Sequence, residues 1–277
     1  MRRKSWLTTS GLIVAAAVAA PMIGAQEQSS RARAAWPCGG RVDPAFSQLA
    51  EATGGQVHLF SPADFTESTA EMLTALDSHR QTIFRLAGEL DPGVHEFRVP
   101  IEAAVESVVF SISVQCFRVA DIARPSGAPL VGGDGVTDLS NPTQRVVIVK
   151  RPEAGVWTIR AAGTGLAGVM VQARSDLGIA EVQFAAVDSA LFTRAPLPGV
   201  ENVVRIYLTG EVSEAQAFLV NAAFRRIASL PLSFVASEGY FSSRATVPTE
   251  AFRVMVEGKD ATGVAFQRVH APLLGKP

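Results

Sequence analysis

The sequence predicts a mainly β protein: two consecutive β-sandwich domains of immunoglobulin or fibronectin type, preceded by a short helical N-terminal segment. Three observations lead there. From Gln81 almost to the C-terminus, apolar residues recur with a period of two, as strands with one covered face require. Turn signals interrupt that pattern at short intervals, among them Asp91-Pro92-Gly93, Pro125-Ser126-Gly127, Asn141-Pro142 and Gly163-Thr164-Gly165. A proline-rich stretch, Ala195-Pro196-Leu197-Pro198-Gly199, separates two strand-rich blocks.

The elements follow in order. Arg2, Arg3 and Lys4 precede an apolar stretch from Trp6 to Gly24, and Gly24-Ala25 places small residues where a peptidase cuts. Residues 1–25 therefore read as a secretory signal peptide, because the apolar core is broken by Thr8, Thr9, Ser10 and Pro21 and falls short of the ~20 residues of a membrane span. With no second long apolar run, the expected product is secreted or periplasmic, with no membrane insertion after signal removal. The polar residues 26–37 read as a disordered leader.

Residues 38–80 read as helix, strand, helix. Asp43-Pro44 is an N-cap with proline in the first turn, and Phe46, Leu49 and Ala50 share a face until Thr53-Gly54-Gly55 stops the helix. A strand is expected at 56–60. Ser61-Pro62-Ala63-Asp64 opens a second helix with an apolar stripe of Phe65, Met72, Leu73 and Leu76. Strands are then expected at 81–90, 94–101, 105–115, 117–124, 143–150, 155–162, 167–175 and 179–187, making one sandwich over 81–187. Phe110, Ile112 and Val114 alternate with Ser111, Ser113 and Gln115, the pattern of a half-buried strand. After a linker at 188–200, a smaller sandwich occupies 201–272. Trp157, Phe110, Phe252 and Phe266 are its and its neighbour's expected structural core residues.

Composition narrows function mainly by exclusion. The 277 residues are 48% apolar and 18% charged with a net charge of −1; loss of the signal peptide 1–25 leaves 22 basic and 26 acidic residues, a net of −4. No basic excess exists to neutralise phosphates, so no nucleic acid partner is expected. Cys38 and Cys116 are candidates for one disulfide in an oxidising compartment, which would stabilise by about 4 kcal/mol in the chain-entropy model; a buried free thiol at Cys116 is the alternative.

The sharper motifs yield to plainer readings. Gly163-Thr164-Gly165-Leu166-Ala167-Gly168 matches a dinucleotide fingerprint in letters, but Val169 to Ala173 continues as a strand where a helix is required. Asp64-Phe65-Thr66-Glu67-Ser68 has the form of an adhesion metal motif yet serves to open a helix. Asp134 and Asp138 offer too few oxygens for calcium. His58, His79, His95 and His270 are scattered, no nucleophile elbow is present, and Glu67 and Glu71 suit an exposed helical face. No catalytic residue, metal ligand or cofactor is expected.

Four stretches taken in order resemble the hemicentins and related von Willebrand factor A domain-containing proteins: Leu49-Ala50-Glu51-Ala52-Thr53-Gly54-Gly55-Gln56-Val57, Pro152-Glu153-Ala154-Gly155-Val156-Trp157-Thr158-Ile159, Val247-Pro248-Thr249-Glu250-Ala251-Phe252 and Phe266-Gln267-Arg268. The resemblance covers about 38–270. It implies that 38–80 is the end of an A-type domain that lacks its metal-binding first part, and that the β-modules following it serve extracellular architecture. A non-enzymatic adhesion, scaffolding or protein-interaction role follows, with a protein or glycan partner at the cell surface or in the matrix. The alternatives are a soluble glycan- or peptide-binding module, with an aromatic groove including Trp157, Tyr207 or Tyr240, and a hydrolase whose residues converge only in the fold.

Overall fold

The computed structural model describes residues 15–16, 38, 42–59, 80–140 and 143–275. The chain is mainly β, with antiparallel sheets and one short helix. A two-residue strand β1 (Ala15–Ala16) pairs in parallel with β2 (Val57–His58). Between them lies α1 (Pro44–Thr53), capped as the sequence predicts: Asp43 accepts from the Ala45 amide at 2.9 Å, and Gly54 follows with φ 76°. The expected helix after Ser61, with Glu67, Glu71 and His79, lies outside the described residues, as do most of the expected signal peptide and leader.

The first module is one six-stranded sheet. Its strands are β3 (Gln81–Leu90), β4 (Val94–Ile101), β5 (Ser107–Ala123), β6 (Val136–Asp138), β7 (Gln144–Lys150) and β8 (Gly155–Arg174). The pairs of strands expected at 105–115 with 117–124, and at 155–162 with 167–175, are each a single long strand. Both bend at the same level. β5 carries register shifts between Val114 and Cys116 and between Phe117 and Val119, and it meets Gly163 and Thr164 of β8 there. β3 pairs with the second half of β8 and β4 with its first half, so the bent sheet encloses its own core.

Gly163-Thr164-Gly165 is thus a bend inside a strand and not the expected turn. A Cβ on Gly163 would stand 2.6 Å from the Cys116 carbonyl oxygen and 2.7 Å from Val114 Cγ1, which explains the glycine by close approach of two chains. Gly163→Ala is expected to cost about 1–3 kcal/mol, as overpacking does, measurable by denaturant unfolding. Cys116, at that bend, is disulfide-bonded to Cys38, which ties the N-terminal segment to the sheet.

Trp157 and Phe110 are fully buried in this core with ring centroids 5.4 Å apart, and the Trp157 indole donates to the Glu153 carbonyl at 2.8 Å. Ser111 and Ser113 are buried as well, only 1% exposed, although alternation placed them on an open face. The reason is the N-terminal segment, which lies across that face. Gln56 Nε2 donates to the Gly168 carbonyl at 3.0 Å, the Leu59 amide donates to Ser113 Oγ at 3.3 Å, and His58 Nδ1 meets Gln144 Oε1 at 3.0 Å. Docking therefore runs through Ala50, Gln56, His58 and Leu59. Leu49, which shares the apolar helix face with Ala50, is 43% exposed.

The second module stacks two four-stranded sheets. One contains β9 (Gly178–Ala186), β10 (Glu201–Thr209), β13 (Ser233–Val235) and β14 (Tyr240–Thr246); the other contains β11 (Val212–Val220), β12 (Arg226–Leu230), β15 (Arg253–Asp260) and β16 (Ala265–Val269). The strand at 179–187, grouped above with the first sandwich, instead pairs with β10 from Asn202↔Ala186 to Thr209↔Gly178. Leu177, just before it, already packs in the second core, and β9 continues into that module. Phe252 and Phe266 are buried at 0% and 1% exposure, and Phe184 meets Phe252 edge-on at 6.3 Å. β12 ends at Leu230, and after Pro231 the chain crosses to the other sheet as β13.

Buried polar groups lock the modules together. Arg268 on β16 is fully buried and donates to both Glu102 oxygens, to Ser175 Oγ at 3.0 Å and to the Leu177 carbonyl at 2.7 Å. Gln267 Nε2 reaches the Ile83 carbonyl at 2.8 Å, and Phe84 packs on Phe224 with centroids 4.3 Å apart. Glu51 of α1 pairs with Arg85 of the first module at 2.8 Å and with Arg253 of the second.

Candidate functional site

Among the described residues, those singled out for chemistry do not converge. Asp138 is held by Arg145, whose Nη2 is 2.8 Å away, and by Ser140, while Asp134 is exposed in the adjoining loop. No group of three or more metal-ligating side chains occurs among the described residues, and Asp64 to Ser68 lie outside them. His95 Nε2 lies 2.9 Å from the Asp91 carbonyl, on the surface. None of the described histidine rings hydrogen-bonds a Ser, Asp or Glu side chain among the described residues.

Burial decides the charge of the other two histidines. It pushes His58 below 6.5, against the hydrogen bond His58 Nδ1 donates to Gln144 Oε1. It brings His270 down to about 4, helped by Arg253 and Arg194 and opposed by a backbone hydrogen bond at Pro272. A histidine depressed in the folded state is neutral there and stabilises fully above its unfolded value near 6.5; that contribution is lost as pH falls toward the folded value. The melting temperature is accordingly expected to drop between pH 6.5 and about 4, and His270→Gln to flatten the drop. Thermal unfolding against pH checks this. Arg253, nearby, is brought down to about 10 by burial and by Arg85, with Glu51 opposing.

Two places offer surfaces. The first is a cavity of about 120 Å³ between the N-terminal segment and the covered sheet face, lined by Ala50, Val57, Leu59, Leu86, Gly168 and Met170 among others. That volume is below the ~300 Å³ at which small-molecule pockets begin. Beside it Gln56 Oε1 and Arg85 Nε are buried without a hydrogen-bond partner.

The second lies on the outer face of the β9–β10–β14–β13 sheet. Alternation along β10 sends Val204 and Ile206 into the core and Val203, Arg205 and Tyr207 outward. The Arg205 guanidinium sits between two rings, 3.6 Å from the Phe192 centroid and 4.6 Å from that of Tyr240, and Tyr207 lies 5.4 Å from Tyr240. Gln183 and Ser242 stand opposite Arg205 on the two neighbouring strands. Sequence reasoning named Tyr207 and Tyr240 but missed Arg205 and Phe192, whose only signal was an outward position on a strand and a place in the linker. Trp157, the third aromatic named for a groove, is in the core of the other module and has no face open to a ligand.

Comparison with known proteins places this geometry in context. No protein-family model matches the chain. Two curated relatives are hemicentins. Hemicentin-1 of Mus musculus is 24% identical and hemicentin-1 of Homo sapiens 23% identical, each over 240 residues covering 81% of this chain. The chain spans about 4% of the length of either relative. The similarity thus reaches both modules while touching only a small part of a much longer protein. Among solved structures, a Bacillus licheniformis lipase in its propeptide form aligns at TM-score 0.34 and 13% identity, covering 68% of this chain and 40% of that one; likeness at this level carries no argument. No helix among the described residues is long and apolar enough to cross a membrane.

Proposed function

We propose that the protein is exported and works by surface contact, as a non-enzymatic adhesion, scaffolding or interaction protein of the cell exterior. Residues 1–25 direct export, 26–37 form a leader, 38–80 are the remnant of an A-type domain, and two β-modules joined between β8 and β9 present the contacting surfaces. The observation that carries this reading is the likeness to hemicentin-1, which covers 81% of the chain and not one strand motif. The Cys38–Cys116 disulfide suits an oxidising compartment. Buried ion pairs at the module junction suit a rigid spacer that holds its faces at a set angle. The test has two parts. Expression with the native signal peptide should place the processed chain, beginning near Gln26, outside the cytoplasm with its disulfide formed. The purified chain should then bind the producing cell's surface or matrix in a saturable manner, whereas retention in the cytoplasm with reduced thiols, or absence of saturable binding, would sink the reading.

A further inference from the structure

We propose that the outer face of the β9–β10–β14–β13 sheet binds an acidic polysaccharide, with Arg205 as the residue that grips its carboxylate or sulfate groups. This rests on the surface-contact reading above and names its partner. The Arg205 side chain is half-buried between Phe192 and Tyr240, yet its guanidinium makes no hydrogen bond or ion pair with another residue among those described. Two rings this close restrict the guanidinium while leaving its N–H donors open, the arrangement that suits bidentate capture of a planar or tetrahedral anion at low entropic cost. Solvation by water alone leaves the two-ring clamp unexplained.

The charges on this face decide the sign of the ligand. Arg194 and Glu181 pair at 3.0 Å and cancel; Arg205 and Arg244 remain against Glu201, at the far end of β10. The face is therefore locally positive on a chain that is acidic as a whole. Arg244 lies diagonally across from Arg205, opposite Val203, so a ligand with repeated anionic groups meets two guanidiniums. β10 is hydrogen-bonded on both edges, to β9 and to β14, which closes the backbone route by which extended peptides add to a sheet. What remains is a flat side-chain surface, with the Tyr207 ring beside the fork to lie against a sugar.

Binding of the full secreted chain to immobilised heparin, hyaluronan, neutral dextran and poly-glutamate, measured by biolayer interferometry at several salt concentrations, tests this. Expected are salt-sensitive binding to heparin, hyaluronan or both, none to dextran, and a loss of tenfold or more in Arg205→Gln with an unchanged melting temperature. Arg205→Lys should lose nearly as much, since it keeps the charge but not the fork. Heparin alone would identify sulfate as the recognised group, and hyaluronan a carboxylate. No polysaccharide binding, binding indifferent to Arg205→Gln, or equal Arg205-dependent binding to poly-glutamate would overturn the proposal. Arg205→Gln that still binds the cell surface or matrix like wild type sinks this inference and spares the contact reading; loss of cell binding in the wild-type chain sinks the contact reading itself.

Discussion

Glu102→Ala is expected to cost about 3–5 kcal/mol of stability, the range for breaking a buried ion pair by removing one partner. Arg268 is fully buried and Glu102 is 1% exposed, so the guanidinium left behind has no solvent to turn to. The remaining contacts with Ser175, the Leu177 carbonyl and its own neighbour's Gln267 carbonyl satisfy donors without supplying a counter-charge. Arg268→Ala should lose a similar amount by stranding the carboxylate. The double change Glu102→Leu with Arg268→Met should lose much less than the sum, because it removes the desolvated charges together. The pair also holds the chain between β8 and β9, so cleavage by a protease between Arg174 and Gly178 should accelerate in either single variant. Chemical denaturation and limited proteolysis measure both effects. A single-variant loss below 1 kcal/mol would mean that the junction does not depend on this pair.

Trp157→Ala should cost about 3–5 kcal/mol, the range for emptying a large aromatic site in a packed core. The side chain is fully buried against Phe110, and Arg124 approaches its ring at 5.8 Å. Its indole N–H is also the donor for the Glu153 carbonyl at the start of β8, so the alanine variant leaves a cavity and an unmet acceptor together. Trp157→Phe separates the two, keeping most of the volume and losing the hydrogen bond, with an expected loss nearer 1–2 kcal/mol. Denaturant unfolding of the two variants gives the comparison. An alanine variant within 1 kcal/mol of wild type would show that the first core tolerates loss of its largest side chain.

Element by element, the strands were legible because a side-chain period of two is a local property, and the Asp43 cap and Gly54 stop of α1 were legible for the same reason. Gly163 and Gly165 misled because a glycine in a turn and a glycine at a crowded bend look alike in one dimension; only the Cys116 carbonyl across the ladder tells them apart. The candidate surface was half visible. Two tyrosines were picked out by type, but the clamp on Arg205 requires Phe192 from the linker to fold back over β10, a contact that spacing along the chain does not encode.

By itself the sequence determined the β class, the order of most strands, the aromatic cores and the cysteine pair open to oxidation, since each depends on residue type and short-range pattern. The tertiary structure alone decided that two long strands bend into a single self-enclosing sheet, that β9 joins the second module, and that a serine-bearing face is covered. The physical reason is common to all three. Whether a polar strand face meets water or another segment, and which edge a strand pairs with, depends on the free energy of contacts between residues far apart in the chain, and the same alternation of residues is compatible with either outcome.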